Sequence, residues 1–320
     1  MSKNHLFAVF ACIALLASGC DKTDKTDDSV TPADAKVTSA DFVGSWYAGE
    51  DVSLIFNENG SYTEDRWGES SSGTWSFNES DNTISFTPSS GDPSTVKALL
   101  IGGKAWLVLV EEFEGMLSYE SYRKEGATVV SAPLGDGRWD APRNGVKPAE
   151  YTREVDYRIC MVVSGNIIDL YVPMWGYHIQ GTFTLNDGKL HIETDDDHIF
   201  SGLYIDADGS FGWNGFGPPS GDYDETWDYS YGSMDPETFT VRSPYKMYSV
   251  SDMLKMGKEP VETDPEYRAD PFNFKFRMWG WAENTREIAL DLCDFDLCVS
   301  PDGKEAFGEA VGLAPWFYKR

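Results

Sequence analysis

The segment 213–232 holds the aromatic and acidic side chains best suited to contact a ligand. Its glycines and prolines argue against one regular strand, and a loop of this length in a compact domain is commonly functional. Flat Trp and Tyr rings can stack on the apolar face of a sugar ring, while Asp and Asn side chains can bind its hydroxyls. The alternative is that these rings fold back and plug one end of a β barrel. The candidate ligand contacts in this segment are Trp213, Tyr223, Trp227, Tyr229 and Tyr231.

Two further aromatic clusters lie outside this segment. Trp175 and Tyr177 follow Pro173 at the start of a predicted strand, and Trp67 and Trp75 flank a stretch rich in glycine and serine. We count Trp175, Tyr177 and Trp67 as further candidate contacts, although aromatic rings in a barrel more often fill its interior.

Motifs for metal binding and catalysis are weak. The run 195–198, Asp-Asp-Asp-His, would place successive side chains on opposite faces of an extended strand. The glycine of 206–209 comes too early for an EF-hand loop, so both acidic runs are predicted to be turns. The chain has no Gly-x-Ser-x-Gly elbow. We predict no metal and no cofactor, and the enzymatic alternative is a glycan hydrolase that uses carboxylates near the 213–232 loop.

Three cysteines follow the N-terminal region, namely Cys160, Cys293 and Cys298. A continuous strand would hold Cys293 and Cys298 on opposite faces and about 16 Å apart at ~3.3 Å per residue. That separation exceeds the ~7 Å limit for a disulfide. A tight turn at 294–296 would still allow the bond, so the alternation favours free thiols and leaves the pairing open.

The N-terminus has the three parts of a secretory signal: a short basic start with Lys3, an apolar run at 6–17 and small residues before Cys20. The apolar run is shorter than the ~20 residues that a membrane-spanning helix needs. The sequence Leu-Ala-Ser-Gly-Cys at 16–20 resembles the lipobox of bacterial lipoproteins. That resemblance implies that Cys20 becomes the acylated first residue and anchors the chain to the outer membrane, on its periplasmic or cell-surface face.

The residues after Cys20 are polar and charged, with little to bury, and this composition predicts a disordered tether. Acids close behind the cysteine resemble the surface-export signals of Bacteroidetes lipoproteins. A plain polar linker is the alternative.

Residues 42–124 have the pattern of short alternating strands joined by turn sequences. An Asn-Gly pair at 59–60 follows the apolar run 52–56, and a Gly-Gly pair at 102–103 precedes the apolar run 105–110. Both pairs are hairpin signals. Successive hairpins form an antiparallel meander, and five or more such strands tend to close into a barrel or sandwich. The sequence therefore predicts an all-β fold.

The order of these features resembles the lipocalin-like domains of Bacteroidetes lipoproteins. The matching residues are Val-Gly-Ser-Trp at 43–46, the hairpin 54–62, Gly-Thr-Trp at 73–75 and the closing Tyr-Arg at 122–123. The resemblance implies a meandering barrel, usually one that binds a small ligand.

The same pattern then occurs a second time. Residues 125–135 are a predicted linker, after which Gly-Arg-Trp at 137–139 echoes 44–46, and the ending 316–320 echoes 121–124. Common descent of the halves and independent use of similar turns both explain these echoes. The predicted organisation is a signal peptide at 1–19, a disordered tether at 20–40, a lipocalin-like β domain at 41–125, and a second, larger β domain at 136–320 with an insertion near 214–270.

Composition narrows the function. The formal net charge is −27 and no basic patch occurs, so nucleic acid is not an expected partner. Aromatic residues make up 14% of the chain, which suits half-buried sheets, and the only helix candidate is a short one at 250–256.

These observations favour a non-catalytic, lipid-anchored envelope protein that binds a glycan or a small apolar ligand. A structural or cell-surface interaction protein is a further alternative. The deciding observation is whether the first barrel has a hollow, apolar interior or one filled with its own rings.

Overall fold

The computed structural model describes residues 36–113, 116–142, 157–173, 175–205, 211–213, 234–243, 245–258, 271–309 and 315–320. Two closed antiparallel barrels of eight strands each dominate these ranges, which confirms the predicted all-β fold. Cys20 and the tether up to residue 35 lie outside the described residues. Val37 and the short helix α1 (Ser39–Phe42) already belong to the first barrel, because Val37 and Phe42 are buried in its core.

The first barrel is an eight-stranded meander in which each strand pairs with the next, and the last strand pairs with the first. Inward residues alternate with outward ones, as in β2, where positions 52, 54 and 56 are buried. The strands are β1 (Gly44–Ala48), β2 (Val52–Phe56), β3 (Ser61–Arg66), β4 (Glu69–Asn78), β5 (Thr83–Pro88), β6 (Ser94–Ile101), β7 (Trp106–Phe113) and β8 (Met116–Lys124).

The second barrel repeats this cycle with three extra strands. β9–β13 and β17–β19 close a ring of eight, while β14–β16 continue the sheet beyond β12. The strands are β9 (Gly137–Pro142), β10 (Tyr157–Ser164), β11 (Ile167–Val172), β12 (Tyr177–Asn186), β13 (Lys189–Glu193), β14 (Ile199–Ile205), β15 (Phe211–Trp213), β16 (Lys246–Ser249), β17 (Asp294–Val299), β18 (Glu305–Glu309) and β19 (Trp316–Lys319).

Two helices separate β16 from β17. α2 (Val250–Lys258) confirms the predicted short helix, but α3 (Pro271–Asp291) was not predicted. Its buried stripe consists of Met278, Ala282, Thr285 and Ala289, which are mostly small residues, whereas Phe276 is 70% exposed. Because large apolar side chains lie on the outer side of this helix, its sequence lacks the apolar stripe that indicates an amphipathic helix.

Each barrel begins with a buried tryptophan that bonds to the chain preceding its first strand. Trp46 Nε1 donates to the carbonyl oxygen of Phe42 at 2.7 Å. Trp139 Nε1 donates to the carbonyl oxygen of Gly135 at 3.0 Å. Both rings are fully buried, so each hydrogen bond satisfies an indole N–H that would otherwise be costly to bury.

Each barrel also closes with a lysine over that tryptophan. Lys124 Nζ lies 5.1 Å from the first ring centroid, and Lys319 Nζ lies 5.4 Å from the second. Gly44 and Gly137 precede the tryptophans by two residues and have φ of +127° and +124°. A side chain at either glycine would be strained, and its Cβ would contact the lysine. The two barrels are therefore closed by the same arrangement of glycine, tryptophan and lysine, as the echoed sequences suggested.

The interior of the first barrel near α1 is filled with its own rings. Phe42 and Phe77 have centroids 4.6 Å apart, Phe56 and Trp75 are 4.7 Å apart, and Tyr62 contacts a further phenylalanine, Phe86, at 5.1 Å. These edge and tilted contacts are typical of a packed core. The interior of the barrel end at α1 is therefore packed with aromatic side chains.

The outer faces of strands β6–β8 and β17–β19 form a common core between the two barrels. Trp106 and Phe307 meet edge to face with centroids 5.1 Å apart. Arg123 lies 3.6 Å over the Trp106 ring and forms an ion pair with Asp296 at 2.9 Å. The two barrels are thus joined by buried apolar surface as well as by the linker.

Cys160, Cys293 and Cys298 are free thiols, and all three are buried. Cys298 lies within β17, whereas Cys293 immediately precedes that strand. The extended strand holds the two thiols apart, as the alternation of the sequence indicated.

Candidate binding site

The end of the first barrel opposite α1 is lined by charged side chains, and we call it the mouth. The turns 49–51 and 67–68 lie at this end, together with the paired ends of β7 and β8 at Phe113 and Met116, since alternate connections of a meander share one end of the barrel. Tyr62, Glu64 and Arg66 lie on the inward face of β3, two residues apart. The core therefore changes from aromatic to charged toward the mouth.

Arg66 spans the mouth from β3 to β8. Its guanidinium donates to the Tyr122 hydroxyl at 2.6 Å and pairs with Glu120 at 2.5 Å. It also bonds to Glu64 on its own strand. The carboxylate side chains are only 12% and 26% exposed, so these charge-assisted bonds are partly shielded from water. The cluster is held in a fixed geometry by both walls of the barrel.

The buried polar atoms of the mouth include two that have no hydrogen-bond partner among the described residues. One is the hydroxyl of Tyr62, a residue that is 2% exposed, and the other is an Oε2 oxygen, that of Glu120. Ser71 lies beside them and donates to Glu64 at 3.3 Å. A buried donor and a buried acceptor without partners are costly, and a polar ligand or water can satisfy both.

The mouth is negatively charged overall. Glu111 lies on the inward face of β7, two residues beyond the buried Leu109, so three glutamates face one arginine. Burial and then the neighbouring Glu120 raise the pKa of Glu111. Burial, with a further contribution from Glu120, raises the pKa of Tyr122, so this phenol remains a donor at neutral pH.

Trp67 stands at the rim of the mouth. It follows Arg66 in the tight β3–β4 turn, adopts a left-handed φ of +48° and is 58% exposed. Its backbone N–H donates to Asp51 in the neighbouring β1–β2 turn at 2.9 Å, which fixes the turn. A bulky residue at positive φ is uncommon, and such positions are frequent at functional sites.

The other predicted contacts have different positions. Tyr177 is fully buried in the core of the second barrel, so it is a core residue and not a surface contact. Trp175 is half-buried and packs edge-on near Tyr177, with centroids 6.3 Å apart. Trp213 ends the short strand β15, and nothing is described of its side chain. Tyr223, Trp227, Tyr229 and Tyr231 lie outside the described residues.

The acidic run 195–198 forms a 3-10 turn, as predicted. The Asp195 side chain accepts from the backbone N–H of Asp197 at 3.0 Å and contacts His198 Nδ1 at 2.7 Å. Among the described residues, no group of three or more His, Cys, Asp or Glu side chains is arranged to hold a metal ion. The run 206–209 lies outside the described residues.

Sequence reasoning overlooked Glu64, Arg66 and Glu120. The available signal was Tyr-Thr-Glu-Asp-Arg at 62–66, in which the inward positions of one strand change from aromatic to acidic to basic. Strand alternation could have identified this inward charge, but its partners on β8 are more than fifty residues away.

Comparison with known proteins found no matching family model, no matching curated protein and no matching solved structure. No helix within the described ranges combines the length and apolar character required to cross a bilayer.

Proposed function

We propose that this protein is a non-catalytic, lipid-anchored envelope protein whose first barrel binds a sugar at its mouth. The observation that carries the proposal is the fixed charged cluster around Arg66, with the unpartnered Tyr62 hydroxyl and Glu120 oxygen at the same barrel end as the exposed Trp67. A flat ring beside convergent donors and acceptors suits a molecule with one apolar face and many hydroxyls.

The charge of the mouth selects among sugars. Three glutamates oppose Arg66, so an acidic sugar would be repelled, whereas hydroxyls or an ammonium group would be attracted. The proposed ligand is therefore a neutral or amino sugar. The packed rings below the cluster leave the small apolar ligand without support in this barrel.

Titration calorimetry of the mature chain with neutral, amino and acidic saccharides tests this proposal. We expect binding of a neutral or amino sugar, and a loss of about tenfold or more in affinity for Trp67→Ala, which is about 1.4 kcal/mol. Trp279→Ala is the matched control, because Trp279 is also an exposed tryptophan, at 42%, but lies on α3. Absence of binding to every saccharide, or equal affinity of the two variants, would refute the sugar site.

The lipid anchor is the second part of the proposal and rests on the sequence Leu-Ala-Ser-Gly-Cys at 16–20. Expression of the full chain with Cys20→Ala should release the protein from the membrane fraction and abolish incorporation of labelled palmitate. Retention of the label by this variant would contradict acylation at Cys20.

The hydrolase alternative places its carboxylates near the 213–232 loop, most of which lies outside the described residues. Release of reducing ends from the same saccharides by the wild-type chain would favour that alternative. If no saccharide is bound or cleaved, a structural or interaction role is the remaining candidate.

A further inference from the structure

A cavity of about 210 Å³ lies between the two barrels, away from the mouth. Strands β6, β17, β18 and β19 and the linker supply its walls. The side chains that define its chemistry are Ile101, Val130, Cys298, Glu305, Phe307 and Trp316.

The cavity lining is mostly apolar, and its polar side chains are the carboxyl group of Glu305 and the hydroxyls of Ser131 and Ser300. Phe307 and Trp316 present rings with centroids 5.3 Å apart. Glu305 is only 7% exposed, and its carboxylate accepts the indole N–H of Trp316 at 3.3 Å. A buried carboxylate in such surroundings favours a neighbour that can donate a hydrogen bond.

The linker between the barrels forms one wall of this cavity. The backbone N–H of Val130 donates to Gly102 of the first barrel at 2.9 Å, and the Ser131 hydroxyl accepts from Val299 of the second at 2.9 Å. Val130 is 68% exposed, whereas Trp316 on the opposite wall is 2% exposed. The cavity therefore extends from the surface at Val130 to a buried end.

We propose that this cavity binds a small planar aromatic molecule that carries one hydrogen-bond donor, such as an indole or a phenol. An engineered cavity of roughly 150 Å³ lined by apolar side chains binds benzene, so the larger volume here accommodates a substituted or fused ring. The ring packs against Phe307 and Trp316, and the donor faces Glu305. This site is independent of the proposed sugar site, because its lining and its barrel faces are different.

Binding at this place has a consequence for the whole chain. The ligand contacts both barrels and the linker, so it stabilises their docked arrangement relative to a separated one. Occupancy should therefore raise the unfolding temperature of the mature chain.

Titration calorimetry of the mature chain with indole, and with toluene as a probe without a donor, tests the inference. We expect one indole per chain, with affinity about tenfold higher than that of toluene. Glu305→Gln should reduce this preference, because a neutral amide is a weaker acceptor than a carboxylate.

Cys298→Leu should abolish binding by filling the cavity. Cys293→Leu is its matched control, because Cys293 is buried to the same degree, precedes the same strand and does not line the cavity. Val130→Trp blocks the exposed end of the cavity and decides the question if the cysteine variants fail to fold by near-ultraviolet circular dichroism. Failure of indole to bind the wild-type chain, or unchanged binding by both Cys298→Leu and Val130→Trp, would overturn the proposal.

Discussion

The two barrels differ most at the end where the first barrel has its mouth. There, the fifth and sixth strands of the first barrel, β5 and β6, are joined by the short turn 89–93. The equivalent connection of the second barrel, between β13 and β17, spans 194–293 and contains β14–β16, α2 and α3. The predicted insertion near 214–270 falls within this stretch.

The cores of the two barrels also differ toward this end, where one is apolar and the other is charged. Inward positions of β11, the third strand of the second barrel, are Ile168, Leu170 and Val172, where the first barrel has Tyr62, Glu64 and Arg66 on β3. Buried residues of α2 and α3 continue the apolar core of the second barrel. A barrel end covered by helices can be apolar, whereas an end exposed to water carries charge, and only the latter remains accessible to a polar ligand.

The largest expected effects come from the shared closing tryptophans. Trp46→Ala and Trp139→Ala should each lower the free energy of unfolding by about 3–5 kcal/mol, because each removes a fully buried ring. Urea unfolding followed by circular dichroism measures both. A loss below ~1 kcal/mol for only one variant would show that the two closures are not equivalent.

Removal of the Arg66 guanidinium, which connects the two sides of the mouth, should destabilise only the first barrel. Arg66→Met leaves Glu64 and Glu120 unpaired in a partly buried place, at a cost of about 2–3 kcal/mol after allowance for their partial exposure. Adding Glu64→Gln and Glu120→Gln to that variant should restore most of the loss. If the triple variant is as unstable as the single one, packing of the arginine stem is the dominant contribution.

Substitution of the two closing lysines should lower the free energy of unfolding by smaller amounts, which differ between the barrels. Lys319→Met should cost about 0.5–1 kcal/mol, typical of a cation over an aromatic ring. Lys124→Met should cost about 1–2 kcal/mol, because Lys124 also donates to the carbonyl oxygen of Asp41 at 2.8 Å. Equal losses in thermal unfolding would argue that this hydrogen bond contributes little.

His178 in the second barrel and Glu111 in the first barrel should contribute pH dependences of opposite sign. Burial lowers the pKa of His178 in the second barrel, although its bond to Asp169 at 2.8 Å opposes the shift. His178 then binds a proton more strongly in the unfolded chain than in the folded one. The contribution of neutral His178 to the free energy of unfolding is therefore present above pH ~6.5 and is lost as the pH falls below that value. Glu111 in the first barrel has a raised pKa, so its contribution improves as the pH falls from neutral toward ~4.5.

Unfolding measured between pH 4.5 and 7.5 for His178→Gln and Glu111→Gln tests these signs. The first variant should lose less stability than the wild type on acidification, and the second should gain less. Identical pH profiles of wild type and both variants would rule out either group as a source of the pH dependence.

Much of the fold could be predicted because it follows from local sequence patterns. Alternation marks β2, and the turn residues at 57–60 and 102–103 lie between strands, as predicted. α3 could not be predicted, because its buried stripe of small residues is complementary to a surface that exists only after the barrel has formed. Trp67 was a candidate because it is an aromatic residue beside a stretch rich in glycine and serine. The sequence could not show that Tyr177 faces the core, because an aromatic ring at a strand start can face inward or outward.

The sequence by itself determined that the chain folds into antiparallel hairpins and that each half opens with a Gly-x-Trp element, because strand period, turn residues and positive φ are properties of neighbouring residues. Only the tertiary structure decided which strands dock the two barrels, where the cavity between them lies and which charges meet across the mouth. Those features join side chains such as Arg66 and Glu120 that are distant in sequence, and barrel closure alone brings them within hydrogen-bonding distance.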